Sequence, residues 1–238
     1  MDQFTLNTYT ITVTIPEKPH PKEGFPVLYV LDGAHNGALV RAIIESQMKM
    51  RKLTKISRMI VVSIEQRPAQ RFYDFTPQAA HYAVSKTFPM PQDGPFGGAH
   101  QFQQFLTQQL KPHMASHYPI GAQSTLLGHS LSGLYVLWHM LTSPKDFTHY
   151  IAISPSVWWN DEELLGYDTA RVEKNPPHGL YIAAGEFERS MHGPIERLLA
   201  NFNAVPHNWY IAPEENHLSV LPAVLSRALR YVRSQNNV

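Results

Sequence analysis

The stretch STLLGHSLSGLYVLWHML, residues 124–141, decides the fold. It opens as an apolar strand pattern, passes through the small residues of GHSLSG, and continues from residue 134 to residue 141 as an apolar helix pattern. A strand that turns tightly into a helix around a serine is typical of a nucleophile elbow, which holds the hydroxyl of Ser130 outside the turn. The elbow needs small residues two positions before and after the serine. Gly128 meets the first requirement, and Ser132 stands where glycine is usual.

Other apolar runs of strand length alternate with helical patterns along the chain. These runs, typical of strands buried on both faces, cover residues 27–31, 59–64, 150–153, 180–184 and 209–211. Residues 9–15 alternate with period two instead, which favours an antiparallel strand. Apolar spacing at 102–110 and 221–232 predicts helices with one buried face. We therefore predict an α/β fold with a mostly parallel central sheet, an antiparallel N-terminal strand and helices on both faces.

A serine hydroxyl is a weak nucleophile and needs a base, which is itself oriented by an acid. His217 follows the last predicted strand, and Glu188 follows the strand at 180–184, so both are expected at the edge of the sheet where the elbow lies. The chain order Ser130, Glu188, His217 is that of the α/β hydrolases, so we predict that fold, in one domain over residues 1–238 without a large separate cap. Other acids stay open in place of Glu188, namely Glu186, Asp161 and Asp168. A Ser130–His217 pair that works without an acid stays open as well.

An oxyanion hole needs two N–H donors, one from the residue after the nucleophile and one from the loop after an early strand. Leu131 supplies the first donor. For the second we predict the loop after the strand at 27–31, with the N–H of Ala34 favoured over that of Gly33.

Two stretches without clear periodicity, 65–98 and 154–178, are predicted to line the substrate site. Arg71 in the first and Trp158 in the second are the predicted contacts for an acidic or aromatic ester. The alternative is structural: the tryptophan loop packs onto the sheet and Arg71 pairs with Asp74.

Composition excludes several classes of protein. With 238 residues, 43% of them hydrophobic, the chain has enough apolar mass for a large core, which excludes a disordered protein. It contains no cysteine, which excludes disulfide scaffolds, cysteine nucleophiles and thiolate metal sites. A net charge of +1 predicts no nucleic-acid partner. No apolar stretch is long enough to span a membrane and residues 1–14 do not resemble a signal peptide, so we expect a cytoplasmic protein with no membrane partner. His113 and His117 lack a third ligand and no phosphate-binding glycine loop occurs, so neither metal nor cofactor is expected.

Six blocks in order resemble the "putative esterase" family of α/β hydrolases, which includes trilactone siderophore esterases of the enterobactin and salmochelin type and is related to esterase D. The blocks are VLYVLDG at 27–33, RFYDFTP at 71–77, GGA at 97–99, GHS at 128–130, SPSVWW at 154–159 and NHLSV at 216–220. The resemblance runs from Tyr9 to Val232. It implies Ser130 as nucleophile, His217 as base and Leu131 as an oxyanion donor, with an acid that varies in the family.

The predicted function is that of a serine carboxylesterase that hydrolyses small to medium acyl or aromatic esters through an acyl-enzyme, with a small-molecule ester as its partner. Hydrolysis of a siderophore trilactone, hydrolysis of a thioester and acyl transfer on the same fold stay open as alternatives. A binding protein with an inactive site is the remaining alternative, which the intact serine, histidine and glycine-lined loops disfavour.

Overall fold

The computed structural model describes residues 1–17, 19–83 and 94–235, so part of the irregular stretch 65–98 lies outside the described residues. Within them, eight strands form one sheet in the order β1-β2-β4-β3-β5-β6-β7-β8. The strands are β1 (Asp2–Leu6), β2 (Tyr9–Thr14), β3 (Phe25–Val30), β4 (Ile60–Glu65), β5 (Ile120–His129), β6 (His149–Ile153), β7 (Gly179–Gly185) and β8 (His207–Ala212).

Strands β3 to β8 are parallel, and each overlaps an apolar run from which a strand was predicted. Strand β2 pairs antiparallel with β4, as its alternating pattern predicted. One further antiparallel strand, β1, extends the sheet beyond β2 and was not predicted. Its sequence, DQFTL, is short and mostly exposed. An edge strand pairs with its one neighbour through the backbone and needs little apolar sequence, so no apolar pattern marks it.

Helices cover both faces of the sheet. One face carries α1 (Ala38–Met48) and α10 (Val220–Gln235), whose apolar residues pack with those of β3 to β8 that point to that side. The other face carries α3 (Arg71–Phe75), α4 (Ala99–Gln104), α5 (Lys111–His117), α6 (Leu131–Thr142), α8 (Ala170–Lys174) and α9 (Arg189–Leu199). A π-helical turn at Phe105–Leu110 joins α4 to α5 in one helical stretch. The short α2 (Arg51–Thr54) follows α1, and α7 (Trp159–Glu162) is an irregular turn with left-handed residues.

The carboxyl ends of the parallel strands bring the chemically important loops to one edge. Strand β5 runs straight into Ser130 and α6, while β7 and β8 end in register at Gly185 and Ala212, just before the loops that carry Glu188 and His217. The predicted sheet with helices on both faces is therefore confirmed. In the described ranges no helix is long and apolar enough to cross a membrane.

Candidate active site

Ser130 occupies the sharp turn between β5 and α6. Its backbone has φ 63° and ψ −122°, a strained conformation that turns the side chain outward. A Cβ on Gly128 would lie 2.3 Å from the carbonyl oxygen of Ser132, so only glycine fits there. The buried Ser132 hydroxyl accepts a hydrogen bond from the N–H of His129 and donates one to the carbonyl oxygen of His129, both at 2.9 Å. Serine in place of the usual glycine therefore ties the two sides of the turn together.

Three side chains from three loops form a hydrogen-bonded chain. Ser130 Oγ lies 2.9 Å from His217 Nε2, and His217 Nδ1 lies 2.6 Å from Glu188 Oε1. The ring of His217 is partly exposed, whereas the carboxylate of Glu188 is buried. With Nδ1–H donating to the carboxylate, Nε2 is the acceptor for the serine hydroxyl proton.

The second carboxylate oxygen of Glu188 accepts two hydrogen bonds. Oε2 accepts hydrogen bonds from Ser154 Oγ and from the N–H of Gly185, both at 2.6 Å. Burial acts to raise the pKa of Glu188, but hydrogen bonds from His217, Ser154 and Gly185 together bring the pKa below its ordinary value. Glu188 is therefore held as an oriented carboxylate.

The other acids that the sequence left open have different surroundings. The exposed Glu186 accepts a bond from the N–H of Glu214 through Oε2. Asp168 accepts one from the N–H of Ala170, at the start of α8, and Asp161 is exposed in α7. The structure brings Glu188 to His217.

His129 packs against the ring of His217, with 4.6 Å between the ring centroids and 35° between their planes. Burial, followed by the neighbouring His217, lowers the pKa of His129 to about 4. This side chain therefore stays neutral beside His217 at ordinary pH.

The loop after β3 brings N–H groups towards the same edge of the sheet. Asp32 has a left-handed backbone, φ 55°, and opens the helical turn Gly33–Gly37. The N–H groups of His35 and Asn36 both donate to the carbonyl oxygen of Asp32. The N–H groups of Gly33 and Ala34 begin this turn, and that of Leu131 begins α6, so all three lack intrahelical acceptors.

Arg71 binds this loop through the carboxylate of Asp32. Its Nε lies 2.7 Å from Asp32 Oδ1 and its Nη2 lies 2.9 Å from Asp32 Oδ2, while Gln66 Nε2 donates to Oδ1 at 2.8 Å. The alternative that Arg71 pairs with Asp74 is wrong, because Arg71 pairs with Asp32. The carboxyl of Asp74 is buried beside Tyr9, and burial raises its pKa to about 7 despite a hydrogen bond from the tyrosine.

An open cleft of about 360 Å³ lies over the serine. It is lined by Ser130, Ser156, Trp158, Glu188, Ser190, Met191 and His217. Trp158 thus borders the cleft, whereas the neighbouring Trp159 is buried and packs with Phe72 and Phe96. Trp159 therefore packs the loop onto the sheet, and the role of Trp158 as a substrate contact stays a prediction.

Sequence reasoning missed four residues of the site: Ser154, Ser156, Ser190 and Met191. Ser154 directly follows β6, so its place at the carboxyl edge was a usable signal. Ser190 and Met191 begin α9, and no motif marked them. His113 and His117 stack on each other with 4.1 Å between centroids, and across the described residues no group of three or more metal-ligating side chains occurs.

Comparison with known families identifies the chain. A family model described as "Putative esterase" matches residues 5–195. The chain belongs to this esterase family. This esterase is 33% identical to the ferri-bacillibactin esterase BesA of Bacillus subtilis over an alignment of 244 residues, which covers 94% of the esterase and 84% of the relative. It is 26% identical to the siderophore triacetylfusarinine C esterase of Aspergillus fumigatus, covering 85% and 73% of the two chains.

A solved structure has the same fold. The crystal structure of BES protein from Bacillus cereus superposes with a TM-score of 0.84 at 30% identity, over 97% of the esterase and 95% of that chain. The predicted family, α/β-hydrolase fold and ester hydrolase activity are therefore confirmed. The family match ends at residue 195, so the position of His217 comes from the structure.

Proposed function

We propose that Ser130 is the nucleophile of this esterase, His217 its general base and Glu188 the acid that orients the base. The observation that carries the proposal is the continuous chain from Ser130 Oγ to His217 Nε2, 2.9 Å, and from His217 Nδ1 to Glu188 Oε1, 2.6 Å. Both distances are hydrogen-bond distances, so His217 Nε2 can take the proton of Ser130 while Glu188 holds the imidazole in position.

The reaction follows from this geometry. Ser130 Oγ attacks the ester carbonyl while His217 Nε2 takes its proton, and Glu188 stabilises the imidazolium that forms. As the tetrahedral intermediate collapses, the same proton passes to the leaving alkoxide, which departs as the alcohol. Water then attacks the acyl-enzyme and gives a proton to His217. As this second intermediate collapses, His217 passes the proton to Ser130 Oγ, which frees the serine and releases the carboxylic acid.

The oxyanion would be held by the N–H of Leu131 and by that of Ala34, or of Gly33. Three N–H groups at two helix starts support this assignment, because each of them lacks an intrahelical acceptor. Two of the guanidinium nitrogens of Arg71 are already bonded to Asp32, so we infer that Arg71 first holds the oxyanion loop in place. Arg71 as a direct substrate contact stays a prediction.

The substrate class that we propose is a siderophore ester, within the broader predicted class of small to medium acyl or aromatic esters. Two relatives that align with most of the chain are siderophore esterases by name. The cleft supports a bulky substrate because it is open and presents Trp158, an aromatic wall, beside Ser130. We also propose that residues 1–238 form a single domain without a large separate cap, as the one continuous sheet supports. A cytoplasmic location stays a prediction for cell fractionation to test.

A comparison of substrates tests the proposal. We expect kcat/KM for the trilactone enterobactin to be about a hundredfold or more above that for p-nitrophenyl acetate and butyrate, and above that for the matching thioesters. The reason is that binding of the parts of a large substrate that lie away from the scissile ester lowers the barrier at the reacting centre. Trp158→Ala is expected to lower kcat/KM for the trilactone much more than for the acetate. A preference for the simple esters would refute the siderophore assignment and leave a general carboxylesterase.

Product analysis separates hydrolysis from acyl transfer. With an alcohol added, a hydrolase releases mainly the free acid, whereas an acyltransferase releases mainly the new ester. We expect the free acid to dominate, and a dominant ester product would contradict hydrolysis as the main reaction.

A further inference from the structure

A cationic groove lies at the end of the sheet opposite the cleft. It has a volume of about 430 Å³ and is lined by Pro21, Arg51, Lys52, Ile56, Ser57, Arg58 and Arg233. We call it the basal groove. Its residues precede β3 and β4 or come from α2 and the last turn of α10, whereas the catalytic side chains follow the carboxyl ends of β5, β7 and β8. The two sites therefore face away from each other along the strands.

The basal groove concentrates unneutralised positive charge. Four cations line it and no carboxylate does. Among the residues that the structure describes, none of these four cations forms an ion pair. Arg58 is fixed in place, since it donates to the carbonyl oxygen of Pro19 at 2.8 Å and lies over the ring of Phe25. Lys55 adds a further exposed cation just after α2.

Carboxylates do occur beside the basal groove. A neighbouring groove that shares Arg58 contains Glu17, Glu45 and Lys49, so the charge there is mixed. The excess of cations is thus specific to the side formed by α2 and the end of α10.

Two large apolar side chains project from the same corner. Met50 is 62% exposed and Leu53 is 77% exposed. They are three residues apart in a helical turn, in which the N–H of Leu53 donates to the carbonyl oxygen of Met50, so they lie on one side of that turn. In the sequence they flank Arg51 and Lys52, which line the basal groove.

We propose that the basal groove, with Met50 and Leu53, is a docking surface for the anionic face of a lipid bilayer. Cations beside protruding apolar side chains are the combination with which proteins lie in a membrane interface, where the cations meet lipid phosphates and the apolar side chains enter the acyl boundary. A soluble polyanion would use the cations but would leave Met50 and Leu53 in water. The expectation of no membrane partner rested on the absence of a spanning stretch, and surface docking needs none.

Docking in this way leaves the catalytic cleft open to water. The surface lies at the amino ends of the parallel strands and the cleft at their carboxyl ends, so the bilayer would not cover Ser130. The inference is independent of the proposed substrate.

Vesicle sedimentation of the full chain tests the proposal. We expect binding to vesicles of phosphatidylcholine mixed with phosphatidylglycerol, no binding to phosphatidylcholine alone, and release as salt rises. Each Lys or Arg near an anionic bilayer raises partitioning roughly fivefold, so Arg51→Gln with Lys52→Gln should lower it about 25-fold. Met50→Ser with Leu53→Ser should also lower partitioning, by about tenfold or more.

The matched control removes the same charge from the other face of the sheet. Lys145→Gln with Lys174→Gln, just after α6 and in α8, should change binding little, and all three double variants should keep the wild-type kcat/KM on a soluble ester. Absence of binding to the anionic vesicles would overturn the proposal, as would an equal loss in the control. Binding that depends on Arg51 and Lys52 but not on Met50 and Leu53 would also overturn it, in favour of a soluble polyanion.

Discussion

Replacing Glu188 by glutamine should force His217 into the wrong tautomer. In the wild-type site, Oε2 of Glu188 accepts bonds from two donors, Ser154 Oγ and the N–H of Gly185, while Oε1 accepts from His217 Nδ1. A glutamine side chain has one oxygen and one NH₂ group. Two donors at the Oε2 position hold the amide oxygen there, so the NH₂ group faces His217 Nδ1. That nitrogen must then accept, Nε2 carries the proton, and Nε2 can no longer take the proton of Ser130.

The loss follows from this tautomer. We expect kcat to fall about 10³- to 10⁴-fold, because the wrong tautomer in a serine triad costs this much while the geometry stays intact. The assay is steady-state hydrolysis of p-nitrophenyl acetate, with thermal unfolding to check that the fold is retained. Glu186→Gln is the matched control and should be nearly silent, since Glu186 is exposed and bonds only to the N–H of Glu214 in the described structure. A loss below tenfold in Glu188→Gln would refute the reasoning and favour a Ser130–His217 pair.

Three further predictions concern the surroundings of the triad. Ser132→Gly removes both hydrogen bonds across the elbow and should lower the free energy of unfolding in urea by about 2 kcal/mol. Burial raises the folded-state pKa of Asp74 from 3.8 to about 7, so the free energy of unfolding should fall as pH rises from about 4 to 7, by about 4 kcal/mol at most. Asp74→Asn should remove this fall. The variant should therefore have a higher Tm than wild type at pH near 8 but not at pH near 4. Arg71→Lys cannot hold Asp32 with two bonds and should lower kcat about tenfold with little change in KM, whereas an unchanged kcat would contradict its role in the oxyanion loop.

Much of the framework could be predicted because its signals are local. Runs of apolar residues mark the parallel strands, since a strand buried on both faces has no polar side. The elbow around Ser130 is formed by residues that are consecutive in the sequence. His217 and Glu188 could then be found by chain order, because the carboxyl ends of parallel strands meet at one edge.

The rest depends on contacts between distant segments. Arg71 pairs with Asp32, 39 residues away, because α3 faces the loop after β3, whereas the nearby Asp74 points into the core. Ser154 reaches Glu188 only because β6 and β7 are neighbours in the sheet. Two adjacent tryptophans follow β6, and only packing decides that Trp159 is buried while Trp158 borders the cleft.

Labelling with an organophosphonate tests the central claim, that Ser130 is the nucleophile, most directly. Mass spectrometry of the digested protein should find the adduct on the peptide that contains Ser130, and activity should fall in step with labelling. Ser130→Ala should be neither labelled nor active, and a chelator should leave wild-type turnover unchanged. An adduct on another serine of the cleft, such as Ser156 or Ser190, or near wild-type turnover in Ser130→Ala, would contradict the account.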